Sequence, residues 1–126
     1  MSNNERYERG LSKLSEIDGE AGRRVVESLA DLAPDLGRYI VEFAFGDLYC
    51  RSGLDLRARE IATVAALTAM GTARPQLEVH LGAALNVGCT QDELVEVILQ
   101  MAAYAGFPAA LNGIAALRAV LAERAA

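Results

Sequence analysis

Three prolines and a few glycines cut this chain into lengths that suit helices and leave little room for anything else. Between those breaks apolar residues recur at spacings of three and four, not two, which is the period of a helix and not of a strand. Pro34, Pro75 and Pro108 each stand at the head of such a run. A proline there loses nothing by lacking a donor, because first-turn amides have no intrahelical acceptor. Gly71, Gly88 and Gly106 stand at the tails, where glycine turns left-handed cheaply and ends a helix.

The fold class expected is therefore all-α: one domain spanning 1–126, a helical bundle of about six to seven helices. The spacing predicts helices from Glu5 to Ser15 and, after a turn at Asp18-Gly19, from Glu20 to about Leu32. A third runs from Pro34 to about Leu48, with Leu36, Ile40, Phe43 and Ala44 as its apolar face. Asp55 is the expected N-cap of a central helix ending at Gly71, and Pro75 opens the next, which ends at Gly88. Thr90-Gln91-Asp92-Glu93 has the form of a capping box ahead of the apolar run Leu94 to Tyr104, and a last helix covers Ala109 to about Arg124.

Composition narrows the partners. The apolar fraction of 52% comes from Ala, Leu and Val, with no Trp, so closely packed helices are expected, with apolar surface left over for a homo-oligomer to cover. A net charge of −5 and a pI near 4.8, with no basic stripe, argue against nucleic acid as a partner. Apolar stretches fall short of the roughly 18 residues a membrane span needs. The start MSNNERYERG has no apolar core, so no membrane association and a cytoplasmic location are expected. Cys50 and Cys89 have no second Cys or His at ligand spacing, which points to neither a metal site nor a disulfide framework.

His80 is the single histidine, and Glu60 is a lone carboxylate in an oily helix. One imidazole means one side chain whose ordinary pKa lies near neutrality, so proton transfer points there first, although a lone helical histidine is more often structural. Glu60 shares its stripe with Leu56, Thr63, Val64 and Leu67. It is either buried with a partner or lines a cavity, the alternative being a surface pair with Arg57 one turn back. Small residues, Ala83 and Ala84, share the side of His80, which suits a pocket as well as tight helix packing.

From Leu54 to Asn112 the chain resembles the carboxymuconolactone decarboxylase family. The resemblance is carried by LDLRAREIATVAALTAMG, HLGAALNVGCTQDELVEVILQ and YAGFPAALN, with RYIVEFAFGDLYCRSGLD upstream. It implies an all-helical, alkyl hydroperoxidase D-like fold assembled as homotrimers or homohexamers. The thiol branch of that superfamily carries a CxxC motif ending four residues before the shared histidine; here those positions are Ala73 and Gln76, which supply no thiolate. Glu60 and His80 resemble that branch's proton-relay pair.

What the resemblance implies is a decarboxylase of 4-carboxymuconolactone or a related carboxylated lactone, with no metal and no organic cofactor. His80 is then the proton donor and Glu60 its orienting carboxylate. Arg59, Arg57 and Arg51 are candidates for binding the substrate's carboxylates, their alternative being solvated surface, and Tyr104 is a weaker candidate for a substrate oxygen. Asn86 and Asn112 are possible further donors. Two other readings stay open: a peroxide-related antioxidant of the same superfamily, and a non-catalytic small-molecule-binding oligomer.

Overall fold

A computed structural model of the chain describes residues 3–126, and the regular elements among them are helices, with no strand. They are α1 (Asn3–Glu27), α2 (Pro34–Tyr39), α3 (Leu56–Met70), α4 (Arg74–Asn86), α5 (Gln91–Ala105) and α6 (Phe107–Ala125). A π-helical segment, Ile40–Leu48, continues α2 directly. The all-α fold is as the punctuation implies: the prolines open α2, α4 and α6, and the glycines follow the ends of α3, α4 and α5. No helix among the described residues is long and apolar enough to cross a membrane. The chain divides into two compact units, one ending at Leu56 and the other Arg57–Ala126.

In the first unit the expected turn at Asp18-Gly19 is a kink inside α1, where Gly19 takes φ 57° and ψ −136°, a conformation a β-carbon would resist. The helix then ends at Glu27, short of the expected Leu32. The larger departure lies in Ile40–Leu48. Its buried side is Val41, Glu42, Phe45 and Gly46, whereas Leu36 and Phe43, expected on the apolar face, are about half exposed.

The cause is a crossing with α1 so close that backbones meet. A β-carbon on Gly10 would lie 1.9 Å from the Val41 carbonyl oxygen, and one on Gly46 would lie 3.0 Å from that of Arg6. Gly10 and Gly46 permit that approach, and it turns Val41, Glu42, Phe45 and Gly46 inward in place of the expected face. The wider π turn, with amides bonded five residues back, adds a second effect. Arg6 holds Asp47 at 2.6 Å and reaches Glu42 at 3.9 Å. Residues five apart would sit about 140° around an α-helix from each other, but a π turn brings them to one side.

The Arg6 hydrogen bond holds the Asp47 carboxyl below its ordinary value of 3.8, and the Arg6 and Arg9 charges add to that shift. A carboxylate favoured in the folded state stabilises it above its unfolded pKa and ceases to as pH falls through the folded one. Asp47→Asn is therefore expected to lower the melting temperature at pH 7, with the difference from wild type shrinking below about pH 4 and vanishing in stronger acid. An unchanged difference across that range in a pH series of thermal melts would show that the ion pair does not contribute.

In the second unit Val64, Leu77, Leu81, Leu94, Ile98 and Leu117 form the centre of one buried cluster. Each such side chain contributes roughly 1.5–3 kcal/mol on leaving water. The capping box is present: the Glu93 amide donates to Thr90 Oγ1 (3.1 Å) and the Thr90 amide donates to Glu93 Oε1 (2.8 Å). Glu93 also pairs through Oε2 with Arg57, so the start of α5 is tied to the start of α3. The Thr90 amide, joined by Arg57, holds the Glu93 carboxyl below the usual range.

Candidate active site

On α3, Glu60, Val64 and Thr68 recur every fourth residue and all are buried, which makes them one inward stripe. Glu60 is 0% exposed. A carboxylate in that position needs a partner, since an unpaired buried charge is costly. The partner comes from α4, where His80 Nδ1 lies 2.9 Å from Glu60 Oε1. Leu77, Leu81 and Ala84 face the interior from the same helix, and His80 stands at the margin of that stripe with 20% of its side chain exposed. The ring is thus anchored on one edge and accessible on part of its surface.

That arrangement fixes more than position. With Glu60 ionised, Nδ1–H donates to Oε1, which selects the tautomer and leaves Nε2 as the nitrogen that can gain or lose a proton. Glu60 Oε2 is buried with no hydrogen-bond partner, so the contact with His80 is what answers the carboxylate's polarity. A buried carboxylate behind a partly open ring is an arrangement suited to proton delivery.

The remaining candidates are placed differently. Arg57 reaches Glu93, not Glu60, so the surface pair between Arg57 and Glu60 is not formed. Arg59 is half-buried, and its carbonyl accepts the Thr63 hydroxyl at 2.9 Å. Arg51 lies exposed in the first unit. Tyr104 is 80% exposed. Asn86 Oδ1 accepts from Arg124 at 3.1 Å, and Asn112 is exposed on α6.

Of the positions that hold thiols in the CxxC branch, Ala73 is buried at the head of α4 and Gln76 is exposed. Cys50 donates to the Phe45 carbonyl at 3.2 Å; the buried Cys89 thiol lies 3.9 Å from the Arg57 carbonyl. Among the described residues no cluster of three or more His, Cys, Asp or Glu side chains could hold a metal ion. Sequence reasoning passed over Glu42 and Thr68, both buried polar residues. For Thr68 a signal existed, since it continues the four-residue spacing from Glu60 through Val64.

Comparison with known proteins points one way. Residues 34–119 match the carboxymuconolactone decarboxylase family. The chain is 40% identical over 110 residues to the 4-carboxymuconolactone decarboxylase of Acinetobacter baylyi, covering 86% of this chain and 81% of that protein. An uncharacterized 15.0 kDa protein from the nqo9–nqo10 intergenic region of Paracoccus denitrificans is 33% identical, covering 78% of this chain and 74% of its own length. The nitrosuccinic acid decarboxylase of Metarhizium robertsii is 32% identical, covering 60% of this chain and 52% of that protein.

Proposed function

The chain belongs to the carboxymuconolactone decarboxylase family, and from that premise we propose that it decarboxylates 4-carboxymuconolactone or a related carboxylated lactone, with His80 delivering the proton and Glu60 orienting it. The observation that supports this reading is the 2.9 Å contact between a fully buried carboxylate and a partly open imidazole. Both decarboxylases among the relatives support carboxy-lyase chemistry.

The reaction makes modest demands of the protein because the substrate supplies its own electron sink. As the bond between ring carbon and carboxylate breaks, its electron pair passes through the ring double bond to the lactone carbonyl oxygen, and carbon dioxide leaves. The dienolate so formed takes a proton on carbon. His80 Nε2–H provides that proton, and the ionised Glu60 stabilises the imidazolium before transfer. The ring then recovers a proton from water through its exposed edge.

A substrate with two carboxylates calls for cationic anchors, and Arg51, Arg57 and Arg59 are the candidates. Arg57 already serves Glu93, so Arg57→Ala is expected to lower the melting temperature; Arg59→Gln is expected to raise KM severalfold with a smaller change in kcat. Steady-state kinetics and thermal melts on the two variants separate these roles, and an unaltered KM in Arg59→Gln would remove it from the site. Tyr104 remains a candidate for a substrate oxygen, tested in the same way with Tyr104→Phe.

The protein works, in this reading, as a homotrimer or homohexamer. Leu99, Phe107 and Leu111 are all more than half exposed, apolar surface that such an assembly could cover. Light scattering coupled to gel filtration is expected to return three or six times the 13.4 kDa chain mass, and a monomer at all concentrations would contradict it. Carbon dioxide release from 4-carboxymuconolactone tests the reaction itself.

A further inference from the structure

Helix α6 is apolar on two sides, and the second unit buries one of them. Ala110, Ala116, Leu117 and Val120 join the buried cluster. On the other side Phe107, Leu111, Ile114, Arg118 and Leu121 follow one another at intervals of four and three, the spacing of a seam by which one helix packs against another. Gln91, Val95 and Leu99 widen this face on α5, each one turn from the next. The face is not uniform along its length. Between the head of α5 and the tail of α6 it sinks into an open groove of about 430 Å³, lined by Gln91, Val95, Ile114, Arg118 and Leu121 among others. Toward the turn at Gly106 large side chains stand out instead: Phe107 is 76% exposed, Leu111 69% and Leu99 55%. One end is a hollow and the other a ridge.

A second copy turned through half a circle about an axis normal to the face sets each ridge against the other's hollow, the self-complementary arrangement of a twofold contact. Two α6 helices then run antiparallel. With Leu111 set against the partner's Ile114, the same register brings Phe107 to the partner's Arg118. Arg118 is the one charged side chain lining the groove, and among the described residues it has no ion pair, hydrogen bond or ring contact. An exposed phenyl ring offers it a cation–π contact, made twice across the axis. The two Arg118 side chains stand about 16 Å apart along the helices, too far to repel through physiological salt. From Phe107 to Leu121 the face runs about 21 Å and is two helices wide, so two copies cover roughly 800 Å² counted flat and more once side chains interlock. That is a small interface, and one misplaced charge is enough to break it.

We propose that the α5–α6 face is a twofold, antiparallel contact between two copies of this chain, with Phe107 of each under the partner's Arg118. The inference rests on the homo-oligomer reading above and narrows it, because a twofold contact joins trimers into a hexamer whereas a lone trimer has no twofold axis. Light scattering coupled to gel filtration tests it on the full chain. Six times the chain mass is expected of wild type and three times of Leu111→Glu, an exposed change that spares the core. Arg118→Met keeps the apolar stem and removes the cation, and should raise the hexamer-to-trimer dissociation constant about five- to thirtyfold in analytical ultracentrifugation. A wild-type dimer that Leu111→Glu separates would support the contact and overturn the trimer. A wild-type trimer would overturn the twofold contact and leave the oligomer standing, and a wild-type monomer would overturn both. A hexamer that persists unweakened in both variants would put some other partner on this face and overturn the proposal as well.

Discussion

Replacing His80 by alanine is expected to reduce kcat for lactone decarboxylation by roughly 10²–10⁴-fold, the contribution a positioned general acid makes. The ring is partly exposed and packs at the edge of the buried cluster, so the variant should still fold, and a circular dichroism melt will establish that. Glu60→Gln is the sharper test. Glutamine keeps the size of the side chain but can offer its amide N–H to Nδ1, which reverses the tautomer and leaves Nε2 bearing the proton with no negative charge behind it. An enzyme that needs Glu60 to orient and charge the ring should lose a comparable factor in kcat while KM moves little. If Glu60→Gln costs only stability and turnover persists in the folded variant, the carboxylate is a packing element and the mechanism is wrong.

Gly10→Ala is expected to be the most damaging small substitution in the first unit. Its new methyl would sit 1.9 Å from the Val41 carbonyl oxygen, and the obstruction is backbone, which cannot rotate aside. Relief requires α1 to move off the π segment, pulling Arg6 from Asp47 and Glu42 and uncovering Val41 and Phe45. Overpacking of this kind costs about 3 kcal/mol or more, which in a domain of this size lowers the melting temperature by roughly 10 °C. Gly53→Ala is a suitable control, because its methyl would meet nothing within 4 Å. Equal melting temperatures for the two variants would mean that the crossing is looser than described.

What could be read from the chain was what is local. A proline opens a helix and a glycine closes one through their own backbone, so Pro34, Pro75, Pro108, Gly71 and Gly88 mark the ends of helices without reference to anything distant. Thr90 and Glu93 are three residues apart and satisfy each other, so their box was equally visible. The π segment was not. Its winding and its inward face answer to Gly10 and Arg6 on a different helix, and nothing between Ile40 and Leu48 announces that contact.

The site divides along the same line. His80 and Glu60 stood out as residue types in unusual surroundings, but their contact is a tertiary fact joining two helices. Arg57 shows the limit most clearly. Helical spacing offers it Glu60 one turn away, whereas it pairs with Glu93, 36 positions on. The capping box holds Glu93 through one oxygen and leaves the other free for the arginine, while Glu60 turns into the core where a guanidinium could follow only by leaving water.

The most direct test of the account is to give purified wild-type protein 4-carboxymuconolactone and follow carbon dioxide release together with loss of the lactone's ultraviolet absorbance. One carbon dioxide is expected for each lactone consumed, with no added metal or cofactor, and both signals should be lost in folded His80→Ala. Release that continues unabated in that variant would contradict the role given to His80, and absence of release from wild type across a panel of carboxylated lactones would contradict the reaction.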